Sequence, residues 1–166
     1  ILDDQYDTLN SQGNVYGATK ENGYVSFDGV DDYIDLGLEN YEFTEGLTYS
    51  TIFSLNSINS NGNSDILGNW DAAGGGIFVR STGELSINFY MNGAYQRIES
   101  SYILEVAKEY TVVVVINNET INLYLNGKLI NNLAISYESI ISPRPILIGA
   151  NPASSGNHSD FADMNI

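Results

Sequence analysis

The chain has 166 residues, enough for one domain with a substantial hydrophobic core. Its 21 acidic and six basic residues give a net charge of −15, which repels nucleic acid phosphates and anionic lipids and argues against both as partners. Cysteine is absent, which excludes disulfides, thiolate nucleophiles and cysteine-based zinc sites. The longest apolar run, Val112–Ile116, is too short to span a bilayer, so no membrane insertion is expected.

Two short alternating segments, Tyr24–Phe27 and Tyr33–Leu36, predict a pair of strands on either side of an acidic loop that contains glycine. The loop places Asp28, Asp31 and Asp32 within five residues. Carboxylates this close repel one another unless a cation or backbone N–H groups compensate their charge. The loop therefore predicts either a calcium site, built from carboxylate and carbonyl oxygens, or an acidic turn that accepts hydrogen bonds from its own backbone.

The middle of the chain predicts further strands. Apolar and polar residues alternate in Thr48–Leu55 and Glu84–Tyr90, whereas Tyr110–Ile116 is apolar at nearly every position, as in a strand buried on both faces. The one plausible helical turn is Ser100–Lys108. Roughly ten to twelve strands joined by short turns predict an all-β fold, a two-sheet antiparallel β-sandwich of jelly-roll type.

Two Asn-Gly pairs predict tight hairpins, because both central positions of a type I′ turn need φ > 0. Asn126-Gly127 joins two strands late in the chain, and Asn92-Gly93 joins two strands in its middle. A two-residue turn at the latter sets the register of the whole hairpin. The resulting pairs are Met91 with Ala94, Tyr90 with Tyr95, Phe89 with Gln96, Asn88 with Arg97, Ile87 with Ile98, and Ser86 with Glu99.

This register gives the hairpin one apolar and one polar face. The apolar face, with Ile87 and Ile98, must belong to the core. The polar face carries Tyr90, Tyr95, Asn88, Arg97, Ser86 and Glu99. Sugar rings stack on aromatic side chains while their hydroxyls bond to planar polar groups, so this face is a candidate glycan-binding surface. The same cross-strand pairs would also stabilise an exposed sheet face that binds nothing.

The segment Gly68–Gly76 contains the single tryptophan, Trp70, preceded by Asn69 and followed by three consecutive glycines. Trp70 can be a stacking platform for a sugar, or it can fold inward and close one end of the sandwich. Arg80, after an apolar run, can join either site. We therefore add Trp70, Asn69 and Arg80 to the candidate ligand-binding residues.

Three motifs resemble those of a known family. FDGVDDYIDLG at 27–37, LYLNG at 123–127 and ILIGAN at 146–151 are similar, in this order, to motifs of laminin-G-like domains. These domains belong to the concanavalin A-like lectin/glucanase superfamily and occur in bacterial and phage surface proteins. The resemblance implies one domain over residues 1–166 and a structural calcium, to which an acidic residue near the last strand contributes. Asp160 and Asp163 match that description, beside Asp28 and Asp31.

In such domains a closing strand usually follows the segment that resembles ILIGAN. Here the chain stops at Phe161–Ile166, where that strand would begin. The expectation is a fragment of a larger protein that lacks its closing strand, with the gap filled by further residues or by a neighbouring chain.

The sequence argues against an enzyme. Glucanases of this fold carry Glu-x-Asp-x-Glu on one strand, and Glu84–Asn88 has the alternation but a single carboxylate. The only histidine, His158, lies too close in sequence to Ser155, Ser159 and Asp160 for a catalytic triad. We therefore expect a non-catalytic, lectin-like module that binds a glycan or polysaccharide at the bacterial cell surface, outside the cell or on a virion. The alternative is a structural, assembly or adhesion domain that contacts only proteins.

Overall fold

The computed structural model describes residues 13–37, 41–44, 46–70, 74–136, 140–142, 144–152 and 158–166. Strands account for 61% of them, and they form two antiparallel sheets of seven strands each, so the predicted all-β sandwich is confirmed. Nowhere in these ranges does a helix reach the length and apolarity needed to cross a membrane.

The first sheet, called the front sheet, has the order β1-β4-β15-β7-β8-β9-β10. Its strands are β1 (Asn14–Tyr16), β4 (Tyr33–Asp35), β15 (Leu147–Ile148), β7 (Ser64–Gly68), β8 (Gly75–Val79), β9 (Glu84–Met91) and β10 (Ala94–Ile103). The second, the back sheet, has the order β13-β12-β11-β6-β18-β3-β2. Its strands are β13 (Lys128–Ala134), β12 (Thr120–Leu125), β11 (Glu109–Ile116), β6 (Leu47–Leu55), β18 (Asp163–Asn165), β3 (Val25–Asp28) and β2 (Thr19–Lys20). Two small ladders pair β5 (Tyr41–Phe43) with β14 (Ile140–Ser142), and β16 (Asn151–Pro152) with β17 (His158–Ser159).

The core lies between the two sheets, where period-two alternation brings apolar side chains together. The back sheet contributes fully buried residues such as Val112 and Val114, and the front sheet contributes Ile87 and Phe89. The rings of Tyr49 and Phe89 meet across the interface, with centroids 5.7 Å apart. This contact links β6, the central strand of the back sheet, to β9, the strand next to the edge of the front sheet.

Both predicted Asn-Gly hairpins are present. Asn92 and Gly93 have φ of 52° and 79°, and Asn126 and Gly127 have φ of 50° and 77°, as type I′ turns require. All six residue pairs predicted for the first hairpin are observed, and Ile87 and Ile98 are buried. The turn chemistry alone was sufficient to predict the register here.

Two local predictions were wrong. Ser100–Lys108 is not helical: β10 runs through to Ile103 with a register shift, and Ser101 (φ 58°) donates its N–H to Glu84 Oε1. Sheet pairing outweighs the weak helical preference of this segment. Tyr110–Ile116 is buried on one face and only half-buried on the other, because the back sheet's outer face lies towards solvent.

Candidate functional site

The outer face of the front sheet collects the polar side chains of four neighbouring strands. Since Leu85, Ile87 and Phe89 point into the core, alternation turns the residues between them outwards. Cross-strand pairing places these next to outward residues of β7, β8 and β10. We call this surface the polar front face; it comprises Asp65, Trp70, Phe78, Arg80, Ser86, Asn88, Tyr90, Tyr95, Arg97 and Glu99.

Two tyrosines form its aromatic edge. The rings of Tyr90 and Tyr95 meet edge to face, with centroids 5.0 Å apart and planes at 70°. Tyr95 is 44% exposed, and its hydroxyl donates a hydrogen bond of 2.7 Å to the backbone carbonyl of Trp70. The pair thus presents an accessible aromatic surface and is held in place by the tryptophan segment.

Trp70 lies on the polar front face rather than in the core. Its ring stacks on Phe78 with centroids 5.3 Å apart and planes at 27°. Its Nε1 donates to Asp65 Oδ2 at 2.9 Å, and Asp65 itself is buried. Trp70 is therefore held on the outer side of the front sheet, by its contact with Phe78 and its bond to Asp65.

The basic residues of this face have different surroundings. Arg80 forms an ion pair with Glu99, so those two charges compensate each other. Arg97 is exposed, and its guanidinium carbon lies 5.9 Å from the centroid of the Phe78 ring. Among the residues that the structure describes, Arg97 has no ion-pair partner. Its charge is therefore available to a ligand.

Two buried acceptors lie beneath these side chains. Asn88 is 1% exposed and Ser86 is fully buried, yet Asn88 Oδ1 and Ser86 Oγ have no hydrogen-bond partner within the described ranges. A buried polar group without a partner costs about 1–3 kcal/mol. Both oxygens are closed off from solvent and therefore lie beneath the surface that a ligand could touch.

Asn69 is also a predicted ligand-binding residue, but the structure buries it. Its Nδ2 donates to the carbonyl of Arg144 at 2.8 Å, and its Oδ1 accepts from Gly75 N at 3.1 Å. These bonds hold the backbone on either side of the tryptophan segment, of which residues 71–73 lie outside the described ranges. Asn69 thus shapes the surface from below.

Sequence reasoning missed Asp65 and Phe78. Phe78 lies in an apolar run and looks like a core residue, while Asp65 follows a polar loop with no motif around it. The sequence feature that could have identified Phe78 is strand alternation. Ile77 and Val79 lie in the core, so the side chain of Phe78 between them points outwards. The partnership of Asp65 with Trp70 depends on strand pairing and was not readable from the sequence.

The acidic loop brings Asp28, Asp31 and Asp32 together, with one carboxylate oxygen from each within 4.8 Å of the others. The loop also binds its own backbone, since Asp28 N donates to Asp32 Oδ2 at 2.9 Å and Val30 N donates to Asp28 Oδ1 at 2.8 Å. Burial raises the pKa of Asp32, and repulsion from Asp28 and Asp31 adds to this, while the Asp28 N–H bond opposes it. Among the described residues, no lysine or arginine forms an ion pair with these three carboxylates.

The other two predicted metal ligands lie apart from the cluster centre. Asp163 pairs with Asp28 across β18 and β3, and its carboxylate accepts hydrogen bonds from Asn56 Nδ2 (3.0 Å) and Ser57 Oγ (2.7 Å). Asp160 does not join the cluster; its Oδ1 accepts from Asn63 N at 3.0 Å.

A second aromatic cluster lies near the opposite edge of the front sheet. Tyr16 and Tyr33 stack with centroids 4.5 Å apart, and His158 meets Tyr33 edge-on at 4.4 Å. Burial lowers the pKa of His158, and the nearby Asp35 carboxylate opposes this shift. Ser155, considered with His158 in the sequence, lies outside the described residues.

Comparison with known proteins gives the family. A laminin G family model described as the concanavalin A-like lectin/glucanases superfamily matches residues 28–165. No curated protein sequence matches the chain.

Solved structures share the fold at low sequence identity. The native heptameric SAP-like pentraxin of Limulus polyphemus is 15% identical (TM-score 0.57), over 86% of this chain and 72% of the pentraxin. The CBM40 of Ruminococcus gnavus IT-sialidase, bound to α2,6-sialyllactose, is 14% identical (TM-score 0.57), over 74% of this chain and 75% of the CBM40. Trypanosoma rangeli sialidase, in complex with sialic acid, is 15% identical (TM-score 0.66), over 93% of this chain but 26% of the sialidase. With its motifs, its two-sheet architecture and a family match over most of its length, the chain belongs to the concanavalin A-like lectin/glucanases superfamily.

Proposed function

We propose that the chain is a non-catalytic, carbohydrate-binding module of a bacterial or phage surface protein, and that the polar front face is its binding site. The observation that carries this proposal is that one sheet face groups an exposed aromatic edge with the Arg97 guanidinium, which has no ion-pair partner among the residues that the structure describes. An extracellular, cell-surface or virion location follows from such a role.

Each group on the polar front face has a part in sugar recognition. Tyr95 and the half-buried Trp70 offer aromatic surface to the C–H side of a pyranose. Arg97 donates hydrogen bonds to hydroxyl or carboxylate oxygens. The nearby acids are already engaged, Asp65 with Trp70 and Glu99 with Arg80, which favours binding over acid–base chemistry.

The structural neighbours support a glycan as ligand. The CBM40 structures contain α2,3- or α2,6-sialyllactose, and the T. rangeli sialidase structure contains sialic acid. These ligands belong to those proteins, and at 14–15% identity they provide a reason to test sialylated glycans first.

Tyr95→Ala and Arg97→Ala should each weaken glycan binding at least about tenfold, equivalent to about 1.4 kcal/mol, because each removes a contact group from the site. Titration calorimetry with α2,3- and α2,6-sialyllactose measures the loss, and lactose shows whether the carboxylate matters. A glycan array extends the search to neutral polysaccharides.

Matched controls separate the site from general effects. Tyr102, on the same strand, is 43% exposed, nearly as much as Tyr95, and Tyr102→Ala should leave affinity unchanged. Lys128→Ala, at a hairpin of the back sheet, is the matched control for Arg97→Ala and should also leave affinity unchanged. Equal affinity in all four variants would place the site elsewhere. A stable oligomer in light scattering, with no glycan bound on the array, would favour the assembly domain.

The proposal also includes a structural calcium ion bound at the acidic loop. Oxygens that share one Ca²⁺ at about 2.3–2.6 Å lie within about 5 Å of one another, and the three loop carboxylates meet that condition. Asp28 and Asp32 each use one oxygen in a backbone hydrogen bond, which leaves the other for a metal. The ion would compensate the loop's charge and hold β3 beside β4.

Asp32→Asn should raise the free energy of unfolding by about 0.2–1 kcal/mol in calcium-free buffer, since it removes a buried charge and keeps an acceptor for Asp28 N. The pKa of Asp32 is raised in the folded protein, so the folded state holds this proton more tightly than the unfolded chain. The wild type therefore loses stability as pH rises through the raised pKa, and the substituted protein does not. Urea unfolding across this pH range measures the difference.

In the presence of calcium, the wild type should become more stable than the Asp32→Asn variant. CaCl₂ should raise the Tm of the wild type, EDTA should cancel the rise, and Asp31→Asn or Asp32→Asn should abolish it. Glu119→Gln, an exposed acid away from the loop, is the control. If millimolar calcium does not change the Tm of the wild type, the acidic loop does not bind calcium.

A further inference from the structure

The edge strand β1 is attached to the front sheet by a short ladder. It has three residues, all exposed, and it pairs with β4 from Asn14 to Tyr16. Because β1 stands at the end of the sheet, it has no second neighbouring strand within the described part of the chain. Few hydrogen bonds hold such a strand, and short terminal strands open more easily than the centre of a sheet.

Two tyrosine rings stack where β1 meets β4. Tyr16 and Tyr33 are directly opposite each other in the ladder, so both side chains lie on the same face of the sheet. Their ring centroids are 4.5 Å apart and their planes differ by 15°. His158 also contacts the Tyr33 ring, with centroids 4.4 Å apart and planes at 68°, which limits the rotation of that ring. Tyr16 is 45% exposed, so an oxidant in solution can reach the pair.

Stacked rings favour the coupling of two phenols. When a tyrosine loses one electron and its hydroxyl proton, the unpaired electron is shared between the oxygen and the ring carbons next to the hydroxyl-bearing carbon, in orbitals perpendicular to the ring. Ring planes 15° apart place these orbitals face to face. In the pair of Tyr90 and Tyr95 the planes are at 70°, and the Tyr95 hydroxyl is bound to the carbonyl of Trp70. That pair is therefore oriented less well for coupling, although its residues are also directly opposite each other.

We propose that Tyr16 and Tyr33 form an oxidative cross-linking site, at which a carbon–carbon bond joins the two rings into a dityrosine. The oxidant is hydrogen peroxide, used by a haem peroxidase. Each tyrosine gives up one electron and one proton, and the peroxide takes up both pairs and becomes two water molecules. The two radicals combine at ring carbons next to the hydroxyl-bearing carbons. The hydrogen on each of these carbons then moves to the oxygen, which restores both phenols.

The cross-link fastens β1 to the sheet. It closes a covalent ring over residues 16–33, which contains β2, β3 and the acidic loop. A ring of this size reduces the conformational freedom of the unfolded chain and thereby stabilises the folded protein. Gly17, next to Tyr16, already lies against Asp32, since a Cβ atom at Gly17 would be 1.9 Å from Asp32 Oδ1. The link therefore also holds the acidic loop against the end of β1.

Oxidation of the purified chain with hydrogen peroxide and a haem peroxidase tests the proposal. Lys20 and Arg80 are successive tryptic cleavage sites, so Tyr16 and Tyr33 are in different peptides, residues 1–20 and 21–80. The oxidised monomer should yield these two peptides joined, lighter by two hydrogen atoms than their sum, with fragment ions that place the link at Tyr16 and Tyr33. Its Tm should be about 5–10 °C above that of the untreated chain.

Phenylalanine substitutions are the matched controls, because they keep the stacked rings and remove the hydroxyl that is oxidised. Tyr16→Phe and Tyr33→Phe should each lower the dityrosine fluorescence of the monomer at least about tenfold, and oxidation should no longer raise their Tm. Tyr95→Phe and Tyr102→Phe, which replace two other exposed tyrosines, should both retain the link.

Three results would overturn the proposal. Dityrosine could form mainly within residues 81–97, where Tyr90 and Tyr95 lie, or mainly between molecules, as seen by covalent dimers on a denaturing gel. A link between Tyr16 and Tyr33 that leaves the Tm unchanged would show that it does not fasten β1. None of these readouts depends on glycan binding.

Discussion

Phe89→Ala should lower the free energy of unfolding by about 3–5 kcal/mol, the cost of removing a buried aromatic ring and leaving a cavity. Phe89 is fully buried, touches Tyr49 of the opposite sheet, and fills the space beside Gly75, where a Cβ atom would lie 1.9 Å from the ring. The neighbouring strand is thus shaped around this ring, and the cavity cannot close by a small shift. Urea denaturation monitored by tyrosine and tryptophan fluorescence measures the change.

Ile103→Ala is the control for this substitution. Ile103 lies at the end of β10 and is 69% exposed, so its truncation should change the free energy of unfolding by less than about 0.5 kcal/mol. A similar small effect for Phe89→Ala would mean that the two sheets do not pack as described, and the polar front face would lose its support.

Trp70→Ala should lower the free energy of unfolding by about 2–3 kcal/mol, because it removes both the stacking on Phe78 and the hydrogen bond to Asp65. Trp70→Phe separates these contributions: the stacking stays, and the buried Asp65 carboxylate loses one donor, at about 1–3 kcal/mol. Both losses are measured by urea denaturation.

The two substitutions should also differ in glycan binding. Phenylalanine preserves an aromatic surface beside Tyr95, so Trp70→Phe should retain most of the affinity, whereas Trp70→Ala should lose it. If both variants are as stable as the wild type, Trp70 is not held on the sheet by these contacts, and it does not belong to the polar front face.

Some features of the site were readable in advance because they are local. The hairpin at Asn92-Gly93 has a register set by its turn, so the neighbours Tyr90–Tyr95 and Asn88–Arg97 could be predicted. The helical turn expected at Ser100–Lys108 was wrong, since pairing of β10 with β9 is not visible in local propensity. The role of Asn69 as a buried support depends on its bond to Arg144, which lies far away in the sequence. The position of Phe78 under Trp70 depends on the pairing of β7 with β8, which no turn motif in the sequence specified.

The sequence by itself determined the all-β class, the two type I′ hairpins, the inward and outward faces of the strands and the acidic loop, because alternation and turn chemistry act over a few residues. Only the tertiary structure decided that Trp70 lies over Phe78 and Asp65, and that Asp163 pairs beside Asp28. The pairing of Asp163 with Asp28 joins segments far apart in the chain, and the contacts of Trp70 depend on how the strands β7 and β8 pack onto the sheet. Packing of the whole core selects such arrangements from many sterically possible pairings.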